Sequence, residues 1–372
     1  MAEIFMKYKE LIKSKQLFNR KIALQGSLIF LLIGSVIILI LYSLYYFEIQ
    51  HATETIEHGE IDYLESIDVL IKEKIENIAS DLMILNDEIN LQSPSKINDK
   101  KYIDFLSKEF LVLSKRKRIY DQIRLLDNTG MERIRVNFND GNPFVVPEKN
   151  LQFKGKRYYF RDTILLGKDE ILVSTFDVNI EHGAIELPIK PMLRVGTPVY
   201  DITGSKQGIL LLNYLGRDLL DKIDSIFNSD QHGEVMFLNE EGFMFKKNTK
   251  QSFTSTFPDA WQRITSEESG QFHDNGNIFS FKTIYPLQTM MKSSTGSNKP
   301  YEPGMPGISH KQNRWKIVTY ISGNIFNGKL EDISSKYINI AYRFLVISLI
   351  LSWMFSCLIY NKKKTDTKSK EY

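Results

Sequence analysis

Cysteine is almost missing from this chain, and the one thiol present, Cys357, sits inside an apolar run. No disulfide can join two parts of the chain, so any portion outside a membrane must be held by its own core. Histidine is scarce as well. His51, His58, His182, His232, His273 and His310 stand apart, and no two have the spacing of a metal-ligand pair. There is no phosphate-cradling Gly-Lys-Ser/Thr loop, no G-x-S-x-G elbow and no kinase motif set. Carboxylates such as Glu240 and Glu241 fall in a turn, where solvation is their role. No catalytic residue, metal or cofactor is expected. An excess of charge of one sign is lacking too: a net charge of +3 over 372 residues gives no nucleic-acid signature.

Long apolar runs are what the chain does have. From Ile22 to Phe47, "IALQGSLIFLLIGSVIILILYSLYYF" contains no charged side chain. At about 1.5 Å per residue, such a helix exceeds the roughly 30 Å of a bilayer core. It is longer than the apolar core of a cleaved signal peptide and ends in bulky aromatics, so an uncleaved transmembrane helix is expected over 22–47. Tyr42, Tyr45, Tyr46 and Phe47 then form an interfacial belt. A second run, "FLVISLILSWMFSCLIY", begins at Phe344, and with Ala341 and Tyr342 it predicts a second span over 341–360. Arg343 can snorkel to the headgroups. Lys7, Lys9, Lys13, Lys15, Arg20 and Lys21 precede the first run, and Lys362, Lys363, Lys364, Lys368 and Lys370 follow the second. Positive residues stay inside. A two-pass protein of a bacterial inner membrane is therefore expected, with both termini (1–21 and 361–372) cytoplasmic and residues 48–337 periplasmic or extracellular.

Between the spans, the pattern is helical first and then β. Leu64, Ile67, Ile71, Ile75, Ile78, Leu82, Leu85 and Ile89 recur at steps of three and four, with Glu65, Lys72, Glu73, Lys74, Glu76 and Asp81 mostly on the other side. This predicts a stalk helix over 48–94, ended by Pro94. It packs on its own domain, and its near-heptad period makes a homodimer through stalk and membrane helices a further expectation. A short helix follows at 100–118. Three stretches then read as hairpins: "IRLLDNTGMERIRV" (123–136), "PVYDITGSKQGILLL" (198–212) and "VMFLNEEGFMFKK" (235–247). With strands at 170–179, 276–286 and 314–321, they make two antiparallel sheets divided by a helix at 216–227. The Pro-, Gly- and Ser-rich stretch 286–313 is a surface loop, and a connecting helix (327–340) leads into the second span. The fold class is α+β.

One segment, "GKRYYFRDT" (155–163), sets aromatics between arginines. Arg157 and Arg161 can fork onto a carboxylate or phosphate, while Tyr159 offers an aromatic wall. Ser174 and Asp177 follow on the next strand, and Arg194 leads into another. Such a set suits a small anionic or zwitterionic ligand, with Asp177 able to take an ammonium group. The same residues could instead close a core, the arginines pairing with Asp162 or Asp177. Phe160 reads as core in either case.

"RYYFRDT" resembles the R-x-Y-F-x-x-A segment of extracytoplasmic double-Cache sensor domains, which carry tandem PAS-like lobes. "LVSTF" and "HGAIELPIKPMLRVGTPVYDITGSKQGILLLNYL" are similar to the rest of that signature. The matching positions are Arg157, Tyr159, Phe160, Ser174, Gly183, Pro198, Asp201, Gly204 and Gly208. Thr163 stands where Ala is usual, and the Trp-Tyr pair of amino-acid-binding relatives is absent. The resemblance implies a long stalk helix carrying two PAS-like antiparallel-sheet lobes, flanked by the two transmembrane helices. The membrane-distal lobe (95–228) binds the ligand through Arg157 and Tyr159, and the membrane-proximal lobe is 229–326. Family members usually run on into a kinase, cyclase or chemoreceptor output domain. The chain given stops after "NKKKTDTKSKEY", so the expected partner is a separate cytoplasmic or membrane signalling protein. A receptor lacking its output domain and a protein-docking scaffold are the alternatives.

Overall fold

The structure, a computed structural model, describes residues 2–92, 99–174, 176–178, 180–181, 184–185, 190–227, 233–239, 241–242, 252–286 and 314–368. These fall into two units, one formed by residues 1–58 with 324–372 and the other by residues 59–323.

The first unit is a helical pair. Helix α1 (Ala2–Gln92) contributes its N-terminal part, and the last helix of the chain, Gly323–Lys368, contributes most of its length. Both are long and apolar enough to cross a membrane. The pair is antiparallel, because the Ser352 hydroxyl donates to the Gly26 carbonyl while Tyr45 OH meets Ser334 Oγ at 3.3 Å. Leu28, Leu31, Leu32, Leu39, Leu349 and Leu351 are exposed, which costs little against lipid and much against water. Beyond the apolar runs, Lys336 Nζ donates to Glu48 at 2.8 Å and Tyr337 OH at 2.7 Å. These two bonds hold the Glu48 carboxyl below its ordinary pKa.

The second unit is built on the rest of α1. All eight apolar residues of the predicted stripe, from Leu64 to Ile89, are buried in one core, so the periodicity reads the packed face of the helix. The helix is described as far as Gln92, and the stop expected at Pro94 lies outside the described residues. Asp81 departs from the polar side assigned to it. It is buried, accepting from Tyr120 OH at 2.6 Å and pairing with Lys117 at 2.8 Å. Burial first, and the Asp81 carboxylate second, push the Tyr120 phenol far above its ordinary pKa, so it remains a donor.

Helix α2 (Lys100–Lys117) is capped by Asp99, whose side chain accepts from Lys101 N. Among the described residues nine strands follow: β1 (Tyr120–Asp127), β2 (Glu132–Asn137), β3 (Phe144–Val145), β4 (Leu172–Val173), β5 (Asp177–Val178), β6 (Ile180–Glu181), β7 (Ala184–Ile185), β8 (Pro191–Tyr200) and β9 (Lys206–Leu215). Helix α3 (Tyr158–Ile164) lies between β3 and β4. The N-terminal lobe's sheet runs β3-β2-β1-β9-β8-β4, with β5 also on β8 and all pairs antiparallel. Its face bearing Ile123, Leu125, Ile134, Val136, Leu210 and Leu212 shares the core of the stalk.

Helix α4 (Arg217–Phe227) leads to the C-terminal lobe, a sheet of β10 (Glu234–Leu238), β11 (Ser269–Asp274), β12 (Asn277–Ile284) and β13 (Trp315–Ile321) in the order β10-β13-β12-β11. Helices α5 (Phe253–Thr256) and α6 (Pro258–Ser266) cover its far face, and α7 (Gly323–Lys368) follows. Neither α5, α6 nor β11 was expected from the sequence. Residues 240 and 243–247 of the third predicted hairpin and 287–313 of the predicted loop lie outside the described residues.

The first two predicted hairpins turn on the same four residues, Asp-x-Thr-Gly. In each, one aspartate oxygen accepts the N–H and hydroxyl of the Thr two residues on and the N–H four residues on: Asp127 with Thr129 and Met131, Asp201 with Thr203 and Ser205. Burial works to raise the Asp127 carboxyl, but bonds from Thr129 and Met131, with Arg133 beside it, hold it below its ordinary value. The Thr203 hydroxyl and then the Ser205 N–H do the same for Asp201. A depressed carboxyl stabilises the fold above its unfolded pKa and ceases to do so as pH falls through the folded value. Below about pH 4, urea midpoints are therefore expected to fall less steeply in an Asp127→Asn/Asp201→Asn double variant than in the parent. Equal acid slopes would refute the role given to these turns.

Candidate functional site

The second face of the N-terminal sheet carries polar side chains where a core would carry apolar ones. Pairing sets Gln122 opposite both Asn137 and Asn213, and Asn213 opposite Arg194. One row thus runs Asn137, Gln122, Asn213, Arg194 across four strands. In the next row Arg124 stands opposite Arg135 on β2 and Leu211 on β9. Arg124 and Arg194 are each 2% exposed and Asn213 is 0% exposed. Burying such groups is costly unless each is satisfied, so their presence in one patch calls for a reason.

Helix α3 roofs this patch. Tyr159 and Phe160 pack against Leu126, Ile209 and Leu211 of the sheet. A Cβ on Gly196 would stand 2.9 Å from Leu211 Cδ1 and 3.0 Å from Thr163 Oγ1, so the bare glycine lets the helix approach β8. Arg124 Nη1 donates to Tyr159 OH at 3.2 Å, and the Arg194 guanidinium lies 5.1 Å from the centroid of the same ring. Arg194 also donates from Nη1 to Tyr158 OH at 3.4 Å. Its backbone exchanges bonds with Ser174: Arg194 N to Ser174 Oγ and Ser174 N to Arg194 O, both at 2.9 Å. Glu132 completes the set. Its Oε2 accepts from Arg135 Nη1 at 3.1 Å and Gln152 N at 3.0 Å, and its Oε1 lies 3.6 Å from Arg124 Nε.

Of the residues expected from the sequence, Tyr159, Ser174 and Arg194 are brought together here. Arg157 is the residue just before α3 and is half-buried; its side chain makes no capping bond to the helix. Arg161 is exposed, two residues beyond Tyr159 on the same helix, and does not join the buried set. Asp177 pairs through its backbone with Met192, and its side chain, like Gly183, lies outside the described residues. Phe160 belongs to the core. Gln122, Arg124, Arg135, Asn137 and Asn213 were not anticipated. For the residues on β1 and β2 the signal was a polar residue at every second place; Asn213 is a single polar residue in the apolar run of β9.

Two other places are less suited to a charged ligand. A cleft of about 380 Å³ opens between α2, β2 and the segment after β3, walled by Ile103, Ile134, Val146 and Leu151 with Lys100 and Glu148 among its polar groups. Its charges are of mixed sign, and of the buried polar set it touches only Glu132. The arginine–tyrosine patch, whose described cations share one side of the sheet, is therefore the better match to an anion. The matching face of the C-terminal sheet is filled by rings: Phe253, Phe257, Phe272, Phe279 and Tyr320 lie 5.0–6.3 Å from one another in contacting pairs.

The sequence matches the family model described as bacterial histidine kinase, sensor domain, over residues 71–292. No curated protein matches it. Among solved structures, a domain of a sensory box/GGDEF family protein from Vibrio parahaemolyticus is similar, with 18% identity and a TM-score of 0.54 over 73% of this chain and 99% of that one. The extracellular domain of a histidine kinase designated vpHK1S-Z8 gives 18% and 0.52, over 76% and 99% of the two chains. The ligand-binding domain of the Campylobacter jejuni chemoreceptor Tlp3, in complex with 4-methylisoleucine, gives 9% and 0.50, over 74% and 93%. At such identities the likeness is one of fold.

Proposed function

This chain belongs to the bacterial histidine kinase sensor-domain family, and from that membership we propose that it is a membrane-anchored receptor whose N-terminal lobe binds a small anionic or zwitterionic molecule. The observation that carries this reading is the buried patch of Arg124, Arg194, Tyr159 and Asn213, set against a C-terminal lobe whose equivalent face is packed with rings. Guanidinium groups held against tyrosines in a dry setting favour an oxyanion strongly, since their donors are aimed before the ligand arrives. Residues 48–337 face the periplasm, and the lysine-rich ends of the chain face the cytoplasm. Binding is relayed through the transmembrane helices to a cytoplasmic output module. That relay requires the ligand to prefer one of two arrangements of the sensor, by an amount equal to its differential affinity.

The full chain in lipid nanodiscs, challenged with a panel of small carboxylates, phosphates and amino acids, tests the reading by thermal unfolding. At least one anion is expected to raise the unfolding temperature. Arg194→Gln should weaken that anion by about ten- to a hundredfold, the value of a charge-assisted hydrogen bond. Arg157→Ala, at a less buried position, guards against a variant that merely misfolds. If both variants respond as the parent does, the site is misplaced.

A further inference from the structure

The polar row also reports what kind of anion it suits, on the premise that the N-terminal lobe is the ligand-binding one. Two acceptors in the row are left over. Asn213 donates from Nδ2 to Gln122 Oε1 at 3.2 Å, while its buried Oδ1 receives no hydrogen bond. Asn137, on the other side of Gln122, likewise has a buried Oδ1 with no donor. Unmet acceptors in a buried place are rare in folded proteins, and a ligand donor is one way to meet them. Adjacent strands lie about 4.8 Å apart, so Asn213 reaches a group one bond or two away from a carboxylate seated at Arg194.

The donor is a hydroxyl rather than an ammonium. Both open acceptors are neutral amide oxygens, and a neutral hydroxyl needs no more than that. An ammonium taken out of water needs a carboxylate. Of the carboxylates whose side chains are described nearby, Glu132 lies between Arg135 and Arg124 and Asp121 stands 3.6 Å from Lys190. Asp177 on β5, opposite Met192, is the carboxylate an ammonium would need, and the alanine probe tests it.

We propose that the lobe recognises a hydroxy-carboxylate, with the carboxylate on the Arg194 guanidinium, its neighbouring hydroxyl donating to Asn213 Oδ1, and a further hydroxyl, where present, donating to Asn137 Oδ1. The test uses the full chain in nanodiscs with four probes: lactate, gluconate, propionate and alanine. Lactate or gluconate should raise the unfolding temperature and bind at least about tenfold more tightly than propionate or alanine, since a site built around a hydrogen bond rejects a ligand lacking it. Asn213→Leu should erase the preference of lactate over propionate. Should that variant fold poorly, Asn213→Asp keeps the shape and is expected to turn the preference toward alanine. Propionate binding as well as lactate, or alanine better than both, overturns the hydroxyl assignment and leaves the small-anion receptor standing. The same holds if another anion of the wider panel binds and none of these four does. If no anion stabilises the chain at all, the receptor reading itself falls, and this inference with it.

Discussion

Glu132→Ala is expected to cost about 3–5 kcal/mol, because it strands buried guanidinium groups without their carboxylate. Glu132 is 1% exposed and takes Arg135 Nη1 at 3.1 Å on one oxygen, with Arg124 Nε at 3.6 Å from the other. An ion pair of this kind contributes little beyond an apolar replacement of the whole group, yet breaking it on one side is expensive. A second substitution separates these two effects. Arg124→Met in the Glu132→Ala background should restore part of the loss, giving a coupling energy of about 1–3 kcal/mol in a double-mutant cycle. Chemical denaturation of the full chain reads both quantities. A single-variant loss under about 1 kcal/mol would mean that water reaches the carboxylate. The damage should extend to the site: Arg124 also donates to Tyr159 OH at 3.2 Å, so the roof over Arg194 loosens when Glu132 is gone.

How much of this was legible beforehand depends on which period the residues obey. The stalk stripe was readable because one helical face is dry along its whole length, and a 3.6-residue repeat records that directly. The two Asp-x-Thr-Gly turns were readable because the side chain that makes each turn is local to it. The polar row was not. In a two-residue repeat, a polar residue at alternate places signals solvent, and Gln122 and Arg124 obey that repeat while facing a roof; Asn213 is a lone polar residue in an apolar run and carries no repeat at all. Only the strand order, which brings β1, β2, β8 and β9 side by side, shows them to be one patch. Arg161 failed for a different reason. Residues two apart on a helix point to different sides, so Tyr159 turning inward sends Arg161 outward. Read as a string, "RYYFRDT" gave both residues equal standing, and its helical conformation separates them.

Trp315→Ala is expected to cost about 3–5 kcal/mol as well, by opening a cavity where the two lobes meet. Trp315 is 0% exposed; its ring centroid lies 5.2 Å from that of Phe237 within its own lobe and 5.8 Å from that of Phe176 in the other. Phe176 and Phe237 are 5.3 Å apart, which closes the triangle. The joint is tight on its N-terminal side too: a Cβ on Gly216 would come within 2.2 Å of Phe176 Cε1. Neighbouring side chains cannot easily collapse into such a space, so the cavity term should be close to its full value. Trp315→Phe separates volume from polarity. The indole Nε1 is buried and donates no hydrogen bond, so phenylalanine forfeits only ring volume and should retain most of the stability. Because the triangle holds residues from both lobes, the alanine variant is also expected to unfold in two steps where the parent unfolds in one. Phe176 lies two residues beyond Ser174, whose hydroxyl accepts from Arg194 N, so the lobe joint and the proposed ligand site share one short stretch of chain. A single sharp transition in Trp315→Ala, with a loss below about 1 kcal/mol, would show that the lobes are joined elsewhere.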